Sequence, residues 1–272
     1  EFLKDVLGKR LPQCDAILHM GACSSTTETD ESFLTKNNFE YTRHLASFCL
    51  EKEIRFIYAS SAATYGAGEN GYSDDESRLK ILKPLNLYGD SKQKFDLWAQ
   101  AQGALKNLVG LKYFNVYGPN EYHKQDMQSM VRKGFLQLCD TDKLRLFKSY
   151  KPEYSDGGQE RDFLYIKDAV DMTLYFLERQ DIGGIFNVGS GKARNWNDLA
   201  KAIFAAMNKQ LNIEYIDMPS EIRNQYQYHT CSDTEKIRNA GYSKPSTSLE
   251  AGIENYVTQY LIPGNHLVPG AV

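Results

Sequence analysis

Ile54-Arg55-Phe56-Ile57-Tyr58-Ala59-Ser60-Ser61-Ala62-Ala63-Thr64-Tyr65-Gly66 is a β-rich apolar run that ends in small hydroxylated residues. An apolar run of this length without alternation reads as a parallel strand buried on both faces. Its carboxyl end then presents a serine hydroxyl, and in open α/β sheets ligands sit at the carboxyl ends of strands. Ser61 reads in two ways from the residues alone: a hydroxyl for a ligand, or a turn or helix cap.

Working outward from this strand, short apolar runs alternate with helical patterns, the mark of a parallel sheet flanked by helices. Cys14 to Met20 reads as the preceding strand, after a helix over Phe2-Leu3-Lys4-Asp5-Val6-Leu7. Asn37 to Lys52 reads as a helix with Phe39, Leu45, Phe48 and Cys49 toward the sheet. Further strands are expected at Gly110 to Asn115 and Gly184 to Gly189, and helices at Tyr88 to Gln102, from Tyr165-Ile166-Lys167-Asp168 through Glu178, Asn195 to Met207 and Thr247 to Leu261. Asp233 and Gly241 bracket one more short helix.

The helix from Tyr88 carries Tyr88-Gly89-Asp90-Ser91-Lys92, with a phenol and an ammonium four residues apart and so on one face. Of 18 Tyr, only Tyr88 has Lys four residues on. A cation beside a phenol favours the phenolate, so the pair is expected to bring the Tyr88 pKa down from about 10 toward neutrality. A tyrosine tuned this way takes a proton from a sugar alcohol while a nicotinamide takes the hydride. Taken alone, the pair reads equally as a helix-surface contact.

With Ser61, Tyr88 and Lys92 in place, the chain resembles the extended short-chain dehydrogenase/reductase family of nucleotide-sugar enzymes, from His19-Met20-Gly21-Ala22 to about Tyr260. The resemblance implies an α/β fold: a Rossmann-like doubly wound parallel sheet with a smaller mixed α/β substrate-binding lobe. A narrower likeness, to epimerases that invert C6 of an ADP-linked heptose, rests on five segments. These are Gly21-Ala22-Cys23-Ser24-Ser25-Thr26-Thr27-Glu28, the Ala59-to-Gly66 stretch, Tyr113-Phe114-Asn115-Val116-Tyr117-Gly118-Pro119, Glu121-Tyr122-His123-Lys124 and Arg161-Asp162-Phe163. The Tyr-Phe-Asn-Val-Tyr-Gly-Pro string is shared widely among sugar epimerases and dehydratases, whereas the Cys-Ser-Ser-Thr-Thr and His-Lys signals are much more specific. The activity so implied belongs to lipopolysaccharide inner-core precursor synthesis, in the cytoplasm, by an assembly of several subunits.

The resemblance also assigns residues. Epimerisation through a ketone returns hydrogen to the opposite face, so one acid/base group cannot easily serve both poses. Tyr88 serves one, and Lys124, expected to be desolvated in a closed pocket, serves the other, while His123 reads as structural. Lys92 is expected on the nicotinamide ribose. Met20, Gly21, Ala22, Cys23 and Ser24 match the loop under the adenosine, Asn37 the position that fixes that strand, and Val116 and Lys124 further cofactor contacts. Asn115, Asp126, Lys133, Phe147, Arg161 and Tyr226, with Ser61, match substrate positions. Arg161 is the diphosphate ligand, its planar fork suited to phosphate; a surface Arg161–Asp162 pair is the plainer reading. Asp126 stands where the family usually has a small hydroxylated residue, and an acid there could hold Lys124 charged.

The family's opening strand and Gly-x-x-Gly-x-x-Gly pyrophosphate turn have no counterpart here, and Gly189-Ser190-Gly191-Lys192 lacks the flanking residues of a phosphate loop. The first βαβ unit is therefore expected to be missing, and with it the residues that choose NADP over NAD. NADP is implied by the resemblance alone, with NAD possible. Residues 1–117 read as the remainder of the dinucleotide-binding domain and 118–262 mainly as the substrate lobe. Segments near 162–190 and 228–242 return to the first domain, and 263–272 form a loose tail.

With 42% hydrophobic residues in 272 the chain can bury a substantial core, and a net charge of -3 gives no pull toward nucleic acid or anionic membrane. No apolar stretch approaches a membrane span, no charged-then-apolar leader precedes the first strand, and five Cys without metal-ligand spacing read as reduced thiols. Cys23 lacks a paired His and acid, so it reads as a small residue beside a ligand rather than a nucleophile. Two alternatives stand beside the heptose enzyme. One is a UDP- or dTDP-sugar 4-epimerase or dehydratase, although Ala62-Ala63 stand where such dehydratases carry acids. The other is a truncated, non-catalytic fold.

Overall fold

The structure is a computed structural model that describes residues 8, 13–223 and 226–267. The helix expected over Phe2–Leu7 and the last residues of the tail lie outside these. By compactness the chain divides into one unit of Glu1–Tyr113, Asp171–Val188 and Asp233–Ser243, and a second of Phe114–Val170, Gly189–Ser232 and Lys244–Val272.

The first unit is built on a four-stranded, all-parallel sheet in the order β1 (Ala16–His19), β2 (Arg55–Ser61), β3 (Leu108–Tyr113), β7 (Gly184–Val188). It is the Rossmann-like α/β architecture expected. Burial explains the composition of the central strands, because helices cover a parallel sheet and leave it no wet face. Phe56, Ile57 and Tyr58 of β2 and Leu108, Val109 and Leu111 of β3 are all buried. Strand β2 starts one residue later than expected. Glu53 takes a left-handed conformation to end α1 (Tyr41–Lys52), and Ile54 N–H is used on Cys49 O, which delays the first ladder residue to Arg55. Buried Arg55 in turn donates to Phe176 O at 2.8 Å and Arg179 O at 3.0 Å, satisfying carbonyls at the end of α4 (Ile166–Glu178).

Strand β7 is an edge, and its outward amides are taken by carboxylates. Ile185 N–H donates to Glu76 Oε1 at 2.9 Å and Asn187 N–H to Asp74 Oδ2 at 2.8 Å. Covering an edge in this way removes a template for pairing with another chain. The cost falls on Asp74, whose carboxyl burial pushes up to about 6 against the pull of Asn187 and Lys236. A carboxyl raised in the folded state stabilises below its unfolded pKa, and that contribution is lost as pH rises through about 6. Asp74→Asn keeps an acceptor for the Asn187 amide and removes the buried charge. Its stability relative to the parent should therefore rise between pH 5 and pH 7.5, by ~1–3 kcal/mol, in denaturant titrations. A difference that does not change with pH would refute this.

The second unit holds a three-stranded sheet, β4 (Asn115–Tyr117), β6 (Glu160–Tyr165) and β8 (Ala193–Asn195), with β4 and β6 parallel and β8 antiparallel. A two-stranded parallel ribbon of β5 (Leu144–Phe147) and β9 (Ile213–Ile216) completes its strands. Helices α3 (Met130–Thr141), α5 (Trp196–Ala206) and α7 (Leu249–Tyr256) close over a core that includes Leu138, Leu144, Ile203, Ile253 and Tyr256. The single strand expected over Gly110 to Asn115 is two strands, because the chain leaves the first sheet at Phe114. The tail is not loose through Leu267: Asn120 Nδ2 donates to Leu267 O at 2.9 Å, Leu267 N–H to Asn120 Oδ1 at 3.0 Å, and Tyr122 OH to Asn265 O at 2.8 Å. The short helix α6 (Glu235–Asn239) starts where Asp233 Oδ1 accepts from Glu235 N–H at 2.9 Å.

Candidate active site

In the first unit the carboxyl end of β2 meets the first turn of α2 (Leu87–Ala101). Asn86 caps that helix, its side chain accepting from Gly89 N–H at 2.8 Å, so the helix starts one residue before Tyr88. A Cβ at Gly89 would lie 2.8 Å from Ala63 O, so only glycine lets this turn approach the segment after β2 so closely. The approach sets the Tyr88 hydroxyl beside Ser61, close enough for the serine to draw the phenol down. Ser61 Oγ also accepts from Ala63 N–H at 3.1 Å and caps the Ala62–Tyr65 turn, the second of its two readings.

Tyr88 and Lys92 share a helical face, yet the charge effect expected between them is not what the structure gives. Burial pushes the Tyr88 phenol above its ordinary value, the Ser61 hydrogen bond draws it down, and Cys23 adds to the rise. Lys92 donates to Ala59 O at 2.7 Å, and burial pulls its ammonium down to about 8 against the opposing influence of Asp96 and Cys23. Desolvation acts on each group alone, and here it exceeds the help that a partly desolvated ammonium offers a phenol.

The loop after β1 contains Met20, Gly21, Ala22, Cys23 and Ser24. Met20 is exposed, with its Sδ 3.4 Å from Tyr113 OH. A Cβ at Gly21 would meet nothing within 4 Å, so this backbone faces open space. The residue that fixes the loop is Asn38, not Asn37. Asn38 is buried, accepts from Cys23 N–H at 2.9 Å, and donates to Cys23 O at 3.0 Å and Ser91 Oγ at 2.9 Å. Ser91 Oγ donates to Tyr88 O at 2.7 Å, so one asparagine links the loop to the Tyr88 turn. Asn37 instead donates to Phe33 O at 2.8 Å within its own helix. His19, at the end of β1, is held neutral: burial and Lys92 pull it down to about 4.

In the second unit, Phe147, Arg161 and Tyr226 come together. The Arg161 guanidinium lies 4.9 Å from the Tyr226 ring centre and 5.7 Å from that of Trp196, with Nη1 donating to Glu160 O at 2.7 Å. Phe147 packs edge-on against Tyr226 at 6.3 Å, and Trp196 Nε1 donates to Tyr226 OH at 2.9 Å. Trp196 was not singled out from the sequence, although an indole at the start of an amphipathic helix was visible there. A solvent-exposed Arg161–Asp162 pair is corrected too, since Arg161 is 6% and Asp162 0% exposed. Asp162 accepts from Ser190 N–H, Gly191 N–H and Ser232 N–H at 2.7, 3.0 and 2.9 Å, and from the hydroxyls of Ser190 and Ser232. The glycine-flanked amides that mimic a phosphate loop in sequence are thus committed to the protein's own carboxylate.

Lys124 is exposed, so the desolvated lysine expected there is not found. It sits in a loop held by buried Glu121, which accepts from Ser129 N–H, Ser129 Oγ at 2.6 Å and Tyr256 OH at 3.0 Å. Among the described residues no ion pair joins Lys124 to Asp126; the Asp126 carbonyl instead accepts from Lys133 Nζ at 2.6 Å. Asn115 is exposed and Val116 half-buried on β4.

The model of the NAD dependent epimerase/dehydratase family matches residues 3–189. The chain belongs to that family. It is 52% identical, over 96% of its length and 81% of the relative's, to an ADP-L-glycero-D-manno-heptose-6-epimerase of Nitratidesulfovibrio vulgaris. A Fusobacterium nucleatum protein of the same name is 49% identical over 91% of this chain and 77% of its own. Among solved structures, the Helicobacter pylori ADP-L-glycero-D-manno-heptose-6-epimerase superposes with a TM-score of 0.78 at 29% identity, covering 94% of this chain and 75% of that one. A UDP-N-acetylglucosamine 4-epimerase from Methanobrevibacter ruminantium shares the fold, with a TM-score of 0.81 at 22% identity over 97% of this chain and 82% of that one.

Proposed function

We propose that this chain is an isomerase that inverts C6 of the heptose in an ADP-glycero-manno-heptose by oxidation and re-reduction. The observation that carries this is the 52% identity, across 96% of the chain, to a protein named for that reaction. The donor set fits a nicotinamide dinucleotide. Gly21 leaves open space beside the backbone at a strand's carboxyl end, Asn38 fixes the loop through both backbone groups of Cys23, and Lys92 stands one helical turn from Tyr88. When bound, a nicotinamide accepts and returns a hydride and carries a positive ring charge in its oxidised form.

The chain's own residues do the rest. Ser61 Oγ orients the carbinol and its later carbonyl, and Tyr88 takes the hydroxyl proton in one direction and returns it in the other. Lys92 supplies a positive charge one helical turn away, a smaller influence on the phenol than its burial. We assign Lys124 to the proton transfer of the inverted pose, and Arg161, with its aromatic flanks Tyr226 and Trp196, to the diphosphate. Asn115, Asp126, Lys133 and Phe147 complete the assignment to substrate, and Val116 and Lys124 that to cofactor. NADP as the dinucleotide, a cytoplasmic location and a homo-oligomer are parts of the same proposal. Among the described residues no helix is long and apolar enough to cross a membrane.

The test is a discontinuous epimerisation assay on purified protein supplied with dinucleotide, with ADP-heptose against UDP-galactose. Interconversion of the two C6 epimers of ADP-heptose, without net change in the dinucleotide's redox state, is expected. Equal or better turnover of UDP-galactose would overturn the heptose assignment, and absence of dinucleotide binding would overturn the redox mechanism.

A further inference from the structure

Beneath the residues assigned to chemistry lies an ion pair with no exposure at all: Lys112 Nζ on β3 stands 2.8 Å from Asp96 Oδ2 on α2. Asp96 also accepts from Tyr58 OH at 2.9 Å and Ser60 Oγ at 2.7 Å, two residues on one face of β2. Lys112 also donates to Thr64 Oγ1 at 2.6 Å, and Thr64 Oγ1 donates to Ser61 O at 2.8 Å. Ser61 is therefore gripped on both sides, through Ser60 before it and Thr64 after it. The room for Tyr58 comes from Gly110 opposite, where a Cβ would lie 2.4 Å from the phenol oxygen. Asp96 is one helical turn beyond Lys92 and two beyond Tyr88.

A fully buried ion pair is a poor device for stability alone, because an apolar pair of similar volume commonly does as well or better. What an apolar pair lacks is directional bonding to Tyr58, Ser60 and Thr64 and a fixed charge. We propose that Asp96 and Lys112 are a positioning pair for the reaction centre, holding Ser61 in register with the helix of Tyr88 and Lys92 and placing a negative charge one turn from Lys92. The proposal rests on the assignment of Ser61, Tyr88 and Lys92 to the reaction. The titratable groups facing Lys92 are Asp96 and Tyr88 on its own helix, Cys23 in the loop after β1, and His19 at the end of that strand. Of these, Asp96 is the largest influence keeping the ammonium charged against burial, and Lys112 faces it across Asp96.

Asp96→Asn keeps shape and one acceptor while removing the charge. In protein of full length, it should fold, lower kcat at least ~10-fold, and move the alkaline limb of the kcat profile toward lower pH by ~0.5 unit or more. A packing role alone would lower the yield of folded enzyme and leave that limb in place. The isosteric Thr64→Val removes the Lys112–Thr64 and Thr64–Ser61 bonds, and so the grip on Ser61 from its far side, without touching a charge. It should cost ~10-fold in kcat with KM little changed, and Thr64→Ser should restore the rate. Folded Asp96→Asn with an unmoved limb overturns the proposal; if that variant does not fold, Thr64→Val within twofold of the parent kcat does so. Tyr88→Phe in the same assay separates the two levels. Activity there would unseat the reaction centre, whereas an inactive Tyr88→Phe beside a normal Asp96→Asn would remove only the pair's role.

Discussion

Tyr88→Phe should lower epimerisation by ~10²–10⁴-fold at pH 7.5 while melting within a degree or two of the parent. The ring fills the same space without its hydroxyl, and what goes with the hydroxyl is the interaction with Ser61 that draws the phenol down. The magnitude is that of removing a positioned acid/base from a reaction whose carbinol proton must leave. Because burial holds the phenol above its ordinary value, Tyr88 is protonated at neutral pH and poised to give a proton to a ketone. The oxidative half-reaction, which needs the phenolate, should therefore be the one that gains as pH rises. That gain should end as Lys92 loses its charge near 8. A loss of activity smaller than threefold in Tyr88→Phe would remove this residue from the mechanism.

Lys124→Met should bring a loss of comparable size, with dinucleotide still bound and the fold intact. Lys124 is exposed and its loop is held by Glu121 through Ser129 and Tyr256 rather than by the lysine, so truncating its charge disturbs no packing. Single-turnover experiments sharpen the expectation. If Tyr88 serves one pose and Lys124 the other, as proposed, oxidation of one C6 epimer should proceed at near the parent rate and that of the other should fail. Unchanged epimerisation would refute the second-base role; equal slowing of both epimers would make Lys124 a binding residue.

The parallel strand at Arg55–Ser61, the Tyr88 helix and the Tyr88–Lys92 spacing were legible because each rests on a local pattern: an apolar run, a period, a four-residue interval. Asn38 was missed by one position, and the reason is geometric. Residues Thr35–Glu40 wind as a π-helix, so the phase of side chains there departs from the 3.6-residue period on which a sequence reading depends. The direction of the Tyr88 shift was misread because the interval to Lys92 reports proximity but says nothing of how much water each group has lost. Trp196 escaped because it meets Arg161 from another element, and the same is true of Ser190, Gly191 and Ser232 around Asp162.

Periodicity and residue type, both properties of neighbours along the chain, were enough to set the elements in order and to place a serine, a tyrosine and a lysine near strand ends. The folded protein alone decided which charges are dry. It set Asp96 against Lys112 from sites on different elements and committed the Ser190 and Gly191 amides to Asp162. Desolvation and hydrogen-bond distance depend on atoms brought together from remote parts of the chain, and no interval in the sequence records them.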